Sequence, residues 1–147
     1  MNKQTLIRFI ATSLVGVALA TSALAQAKLD KASQLAKVVI QVSDAEPAKW
    51  NLALNNAKNV QEELGVKNVE IEIVAYGPGI GMLKFDAPAA SRVGDAVKAG
   101  IKVVACENTM RAQKLTKADM NAEVGYVSAG VVEIMQRQAQ GWAYIRP

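Results

Sequence analysis

The chain has 147 residues, which suits a single domain, and its formal net charge is +4. Its basic residues are interspersed with acidic ones and only 5% of the chain is aromatic, so no basic stripe predicts binding to nucleic acid. Histidine is absent, which excludes the usual serine and cysteine hydrolases and the common zinc sites. The single cysteine, Cys106, cannot form a disulfide within the chain.

Residues 1–25 have the three parts of a secretory signal peptide. Lys3 and Arg8 form a positive head, the apolar run "FIATSLVGVALA" follows, and small residues then match a cleavage site. The apolar run is too short for a spanning helix, which needs roughly 20 residues. We therefore predict export to the periplasm, with cleavage before Gln26 or before Lys28, and no membrane anchor after cleavage.

Residues 26–36 form a polar lead-in that we predict to be an N-terminal arm, and the domain itself is predicted to span residues 37–147. The domain begins with "KVVIQVS", whose β-branched and apolar residues predict a strand buried on both faces. In the next segment, apolar residues recur at three- and four-residue spacing from Trp50 to Leu64, which predicts a helix. Pro47 suits its first turn and Gly65 its end. A second strand, "VEIEIVAYG", follows.

The middle of the chain repeats this alternation of strand and helix. The glycine-rich stretch "GPGIGMLKFDAP" is predicted to be a loop, and it precedes a helix that ends at Gly100 and a third strand, "IKVVAC". The short helix "NTMRAQKL" is predicted to have Asn108 or Thr109 as its cap. Thr116, with Asp119 three residues later, matches a capping box for a further short helix.

A brief fourth strand, "VGYVSAG", leads into the last helix, "VVEIMQRQAQG", and "WAYIRP" is predicted to be a fifth strand. The apolar face of the last helix is predicted to comprise Val131, Ile134, Met135 and Ala139. Strands alternating with helices in this way are typical of a three-layer α/β/α sandwich around a mostly parallel five-stranded sheet. A flavodoxin-like strand order is the default for such a sheet.

Ligands of open α/β sheets bind beyond the carboxyl ends of the strands. Four segments lie there: 43–46, 77–81, 106–109 and 128–130. Glycines let a backbone approach an anion closely, but the spacing of Gly77, Gly79 and Gly81 matches neither a phosphate-binding loop nor a dinucleotide fingerprint. A tight turn around Pro78 is the simpler explanation of this stretch. If the stretch has a functional role, we expect it to line a pocket next to Cys106.

Cys106 is the last residue of the predicted third strand, so we expect it to face the crevice and to be reachable by solvent. A helix that begins within two or three residues would stabilise a thiolate through its N-terminal dipole. Arg111, one turn further on, would add positive potential, whereas Glu107 would oppose it if its carboxylate pointed inward. The alternative is a buried structural cysteine, because free cysteine is among the most buried residue types. Composition and spacing leave both interpretations open.

Several stretches resemble the DsrE/DsrF-like proteins. They are "VVIQVSD", "IVAYGPGIGML", the third strand ending in "AC" with "MRAQKL" after it, and "GYVSAGVVEIMQRQAQGWAYIRP". The resemblance covers about Lys37 to Pro147 and implies a flavodoxin-like α/β/α sandwich, commonly in homotrimers or homohexamers. In the sulfur-relay members of the family, a cysteine at the position of Cys106 carries sulfur as a persulfide. This chemistry needs only a thiolate and a sulfur donor, so we expect no metal or organic cofactor. Those members are cytoplasmic and use several subunit types, in contrast to the export predicted here.

The hypothesis is therefore an exported DsrE/DsrF-like protein that accepts, holds or passes on sulfur at Cys106, with sulfur donor and acceptor proteins as partners. Trp142 and Tyr144 are expected at a subunit interface or on an edge strand. Two alternatives remain: a module that binds a small anion or metabolite, and an oligomeric scaffold. The residues expected to line the pocket beside the cysteine are Gly77, Gly79, Gly81, Asn108, Thr109 and Arg111.

Overall fold

The computed structural model describes residues 35–147, which form a parallel sheet with helices on both faces. The predicted signal peptide and most of the predicted arm lie outside the described residues, and Ala36 belongs to the first strand rather than to the arm. In chain order the elements are β1 (Ala36–Val42), α1 (Pro47–Leu64), β2 (Val69–Ala75), a 3-10 helix (Gly77–Leu83), α2 (Ala90–Lys98), β3 (Lys102–Cys106), α3 (Glu107–Ala112), a second 3-10 helix (Lys117–Asp119), β4 (Gly125–Val127), α4 (Gly130–Ala139) and β5 (Ala143–Ile145).

The five strands are all parallel and lie in the order β4-β3-β2-β1-β5. The α/β fold class predicted from the sequence is thereby confirmed. The strand order differs from the flavodoxin default, in which β1 lies between β2 and β3, because here β1 lies between β2 and β5. A right-handed crossover that reverses the direction of strand addition must place its helix on the other face of the sheet. This explains why α4, which leads to β5, lies opposite α1 and α2.

Each face of the sheet has its own apolar cluster, and the two clusters differ in size. Alternate residues of β1 enter both, since Val38 and Ile40 belong to the larger cluster and Val39 to the smaller one. This confirms the prediction that the first strand is buried on both faces. The larger cluster packs under α1, α2 and the Gly77–Leu83 3-10 helix. The smaller one lies under α4 and comprises Val39, Val74, Val104, Ile134 and Trp142.

Of the stretch 77–88 that is predicted to be a loop, the first seven residues form the 3-10 helix Gly77–Leu83 instead, whereas residues 84–88 lie outside any helix or strand. Its apolar side chains, including Ile80, Met82 and Leu83, are fully buried in the larger cluster, and this burial orders the segment. Gly79 lies so close to β1 that an added Cβ atom would be 2.3 Å from the Val42 carbonyl oxygen. The 3-10 helix is therefore part of the core.

The apolar face predicted for the last helix is wrong in part. Of its members only Ile134 is buried, whereas Val131 is 52% exposed and Met135 is 63% exposed. The face that α4 turns towards the sheet carries Gly130 and Ile134, and it also carries Arg137, which contacts a buried carboxylate on β2. The charge contact has overridden the apolar pattern, because a buried charge without a partner is more costly than exposed apolar surface.

Most helix boundaries follow the predicted signals. α1 begins at Pro47 and ends before Gly65, whose φ is 86°. The capping box is present, since the Thr116 N–H donates to Asp119 Oδ2 at 2.7 Å. No helix within residues 35–147 has the length and apolarity of a membrane span.

Candidate functional site

β3 runs directly into α3, and Cys106 is the junction. It is the last residue of β3 and the N-cap residue of α3. Asn108 and Thr109, which were predicted to cap this helix, lie inside its first turn, so that prediction was wrong. The reason is geometric: no residue separates the strand from the helix, and the helix begins at Glu107.

The Cys106 sulfur accepts a hydrogen bond from the backbone N–H of Gly130, with a donor–acceptor distance of 3.2 Å. Gly130 is the first residue of α4, so the positive end of that helix dipole also faces the sulfur. An added Cβ at position 130 would lie 3.1 Å from Tyr76 Cβ and 3.3 Å from Cys106 Cβ. Glycine thus allows α4 to approach the sulfur closely.

Two opposing effects act on the ionisation of Cys106. Burial raises the pKa of the thiol, but the Gly130 N–H that hydrogen-bonds to the sulfur lowers it, and so do the nearby Thr109 hydroxyl and the N–H groups of Thr109 and Asn108, which together outweigh burial. The net result is a pKa below that of an ordinary cysteine. We expected a solvent-reachable thiol, yet only 5% of the residue is exposed. The site therefore stabilises a thiolate while covering it.

Three of the predicted pocket residues meet around Cys106. The Gly77 N–H donates to the Thr109 hydroxyl at 2.9 Å, and this hydroxyl also lowers the pKa of Cys106. The Asn108 N–H donates to the Ser128 carbonyl oxygen at 3.1 Å, which ties α3 to the segment before α4. Gly77, Thr109 and Asn108 are therefore part of one hydrogen-bonded group around the cysteine.

The other predicted pocket residues lie elsewhere. A Cβ added to Gly79 would meet β1, and one added to Gly81 would lie 3.3 Å from the Trp50 ring, because the 3-10 helix turns towards the larger cluster. Arg111 is exposed and donates to the Asn108 amide oxygen rather than to the sulfur. Glu107, which we expected to oppose ionisation of Cys106, instead acts on Tyr126, whose pKa is raised by burial and then by this carboxylate.

A group of polar side chains that the sequence analysis identified only in part adjoins the cysteine at the same edge of the sheet. Tyr76 follows β2 and contacts Gly130, and burial raises its pKa, with a smaller effect in the same direction from Tyr144. Ser43 hydrogen-bonds to Tyr76, and Arg146 pairs with Asp44 at 3.5 Å. Ser43 and Asp44 belong to the segment 43–46 that the sequence analysis placed at this edge, whereas Tyr76 and Arg146 were not singled out as site residues. No group of three or more acidic or cysteine side chains in residues 35–147 could hold a metal ion.

The family model described as the DsrE/DsrF-like family matches residues 36–147, which is the whole of the sheet and its helices. The chain belongs to the DsrE/DsrF-like family. The resemblance inferred from the sequence stretches is thus confirmed. A structure of a protein of unknown function from Methanobacterium thermoautotrophicum is 35% identical to this DsrE/DsrF-like chain, with a TM-score of 0.73 over 76% of this chain and 99% of the other.

Two more distant structures share the DsrE/DsrF-like fold of this chain. A conserved protein of unknown function from Bacteroides thetaiotaomicron is 13% identical with a TM-score of 0.62, over 76% of this chain and 94% of its own. The ychN protein from E. coli is 14% identical with a TM-score of 0.62, over 76% of this chain and 99% of its own. No curated protein matches the chain.

Proposed function

We propose that this DsrE/DsrF-like protein accepts sulfur at Cys106 and passes it on. The observation that carries the proposal is the 3.2 Å hydrogen bond from the Gly130 N–H to the Cys106 sulfur. Together with the Thr109 contacts, it lowers the pKa against the effect of burial, and the thiolate is the reactive form of cysteine. The sulfur-relay members of the family, whose cysteine matches Cys106, support the same chemistry.

The proposed reaction is a thiolate exchange. The Cys106 thiolate attacks the outer sulfur of a persulfide R–S–SH or of a polysulfide, a new S–S bond forms, and the donor leaves as the thiolate R–S⁻. The proton stays on the transferred sulfur, charge is conserved, and no oxidant or reductant is consumed. An acceptor thiolate then attacks the outer sulfur and releases Cys106 as a thiolate. The donors around Cys106 stabilise it both as nucleophile and as leaving group.

Access to Cys106 restricts the donor. With 5% of the residue exposed, a donor reaches the sulfur only if it is small or if the Ser128–Gly130 segment moves aside. Inorganic polysulfide and low-molecular-weight persulfides meet the first condition. A protein donor or acceptor would have to displace this segment, which the Asn108 N–H holds at the Ser128 carbonyl oxygen.

Mass spectrometry of polysulfide-treated protein tests the proposal. Reduced wild-type protein should gain one sulfur atom in the native state and lose it to an added thiol, whereas Cys106→Ser should gain none. A companion experiment compares alkylation of Cys106 in buffer and in denaturant. A thiol that alkylates only after unfolding excludes sulfur transfer. A thiol that alkylates in the native state but gains sulfur from no donor favours the small-ligand-binding module instead.

Export to the periplasm is a further part of the proposal, and residues 1–25 motivate it. After expression with secretion from a Gram-negative host, the intact mass should correspond to a chain that begins at Gln26 or at Lys28. A full-length soluble species that retains "LVGVALA" would contradict it.

A second candidate function is an oligomeric scaffold, and a specific observation favours it. The outer side of α4 carries Val131 at 52%, Val132 at 47% and Met135 at 63% exposure. Apolar side chains clustered on one helix are typical of surfaces that bind another protein. We propose that this side of α4 contacts a second copy of the chain in a homotrimer or homohexamer. Such assembly is compatible with sulfur transfer, so the two functions do not exclude each other.

A further inference from the structure

A fully buried carboxylate lies beneath α4, at the opposite end of the helix from the cysteine. Glu72 of β2 is 0% exposed and is level with Lys102, the first residue of β3, whereas Cys106 is the last. Its oxygens contact Arg137 Nε at 2.5 Å and Lys102 Nζ at 2.9 Å. Among residues 35–147 neither oxygen accepts a hydrogen bond of good geometry, so charge attraction holds this group. The proposed reaction does not use it.

Arg137 is held from several directions. Besides Glu72, its guanidinium contacts Glu133 at 2.9 Å and lies 4.7 Å from the centre of the Trp142 ring. The backbone carbonyl oxygen of Arg137 accepts a hydrogen bond from the backbone N–H of Trp142 at 3.0 Å, which ties the end of α4 to the start of β5. These contacts fix one end of the helix against the sheet.

Three residues on one face of α4 contact the sheet, and Glu133 beside them also reaches Lys102 of β3, with 4.0 Å between Oε1 and Nζ. Gly130 contacts Cys106, Ile134 enters the smaller cluster, and Arg137 contacts Glu72, at the helical spacing of one and two turns. Ile134 is the one large apolar side chain that this helix buries. A single apolar contact would allow α4 to rotate about its own axis. The ion pair opposes this rotation, because a rotated helix would leave the buried Glu72 with fewer partners.

We propose that the Glu72–Arg137 pair is a positioning contact that sets the rotation and height of α4 and so holds the Gly130 N–H at the Cys106 sulfur. The proposal rests on the function proposed above, since it assigns residues that act through Cys106. A buried ion pair is a poor means of stabilising a fold, because well-packed apolar residues of similar volume often serve as well or better. Positioning of α4 is a role that apolar residues in place of the ion pair would not fulfil. Gly130 and Arg137 are about 10 Å apart along a stiff helix, so a rotation at one end reaches the other.

The experiment titrates Cys106 by the ultraviolet absorbance of its thiolate, with Cys106→Ser as the blank. The main variant is the double substitution Glu72→Leu with Arg137→Met, which leaves the net charge unchanged and replaces the pair by apolar side chains. The groups nearest the cysteine, Glu107 and Arg111 of α3 and Tyr76 against Gly130, stay unaltered. The matched control is Lys58→Gln with Glu62→Gln, which removes an exposed ion pair of α1 whose atoms are 3.5 Å apart.

The double variant should be folded and melt no lower than wild type, yet its thiolate fraction at neutral pH should be about threefold lower, as expected when a helix terminus moves away from a thiolate. The control should titrate like wild type. Arg137→Lys keeps the charge but loses the guanidinium fork, so its thiolate fraction should fall by less than that of the double variant. If the double variant does not fold, Arg137→Lys alone tests the proposal. A wild-type titration in either folded variant would overturn the proposal.

The titration and the sulfur-transfer assay test the two proposals separately, so that one proposal can be refuted without the other. Thiolate absorbance requires no sulfur donor, so a wild-type protein that never gains sulfur from polysulfide refutes the proposed function and leaves the positioning result intact. Conversely, sulfur uptake by wild type with unshifted titrations in the variants refutes positioning alone. The Gly130 amide proton gives a second measurement, since its NMR shift should move in the double variant and not in the Lys58/Glu62 control.

Discussion

Cys106 owes its lowered pKa to contacts from two separate parts of the chain. α3 starts at the next residue, and its Thr109 and Asn108 supply donors, while Gly130 at the start of α4 supplies the N–H that contributes most. The sequence analysis found the first source, because it is local. It placed residues 128–130 at the same edge but did not identify the Gly130 N–H as a donor, because Gly130 is 24 residues away along the chain and reaches the sulfur only through the packing of α4.

Thiolate stabilisation predicts a pH-dependent contribution of Cys106 to stability. A thiol whose pKa is lower in the folded state contributes in full above its unfolded pKa of about 8.5, and the contribution is lost as the pH falls through the folded value. The difference in free energy of unfolding between wild type and Cys106→Ser should therefore be larger at about pH 9 than at about pH 6.

Urea denaturation with a reductant present measures this difference. The pH series should end below about pH 10, where tyrosine begins to ionise. Tyr76 has a raised pKa in the folded state, so its ionisation destabilises the fold as the pH rises through that range. A difference between wild type and variant that stays constant with pH would show that the sulfur environment does not favour the thiolate.

At the scale of elements, sequence patterns predicted those structures that depend on local signals. The buried strands, α1 with Pro47 at its start and Gly65 after its end, and the capping box at Thr116 all follow from composition and spacing. The buried face of α4 was not predictable in this way, because it depends on the buried Glu72. In the sequence, Glu72 is one of the charged residues that alternate with apolar ones along β2, and nothing in this pattern marks it as buried. The strand order likewise depends on which free edge β5 joins, and no local signal specifies that edge.

The Gly77–Leu83 3-10 helix gives a prediction at this scale. Gly79→Ala places a Cβ 2.3 Å from the backbone oxygen of Val42. The 3-10 helix or β1 must shift to relieve this clash, so we expect a loss of about 3 kcal/mol in the free energy of unfolding. Gly100→Ala is the control: its φ is +89° but no atom lies within 4 Å of the added Cβ, so the backbone strain should cost roughly 1 kcal/mol. Equal losses in chemical denaturation would contradict the close packing of Gly79 on β1.

At the largest scale that residues 35–147 describe, the two faces of the sheet are covered differently, since α1 and α2 cover one face and α4 covers the other. Tyr144 lies on the edge strand β5 and is 41% exposed, as expected of an edge-strand residue. Trp142 is only 8% exposed and packs in the smaller cluster, so within one chain it is a core residue. The thinly covered face, with the exposed apolar residues of α4, is the surface from which we propose self-association.

Self-association through α4 predicts that the protein is a trimer or hexamer at micromolar concentration and that Met135→Glu dissociates it. The substitution would place a carboxylate without a partner in a buried contact, which is strongly unfavourable. Phe85→Glu is the matched control, because Phe85 and Met135 are both 63% exposed and Phe85 is remote from α4 in the chain. Light scattering coupled to size-exclusion chromatography distinguishes the cases. A wild-type monomer would refute self-association, and an oligomer that survives Met135→Glu but dissociates with Phe85→Glu would place the interface on another surface.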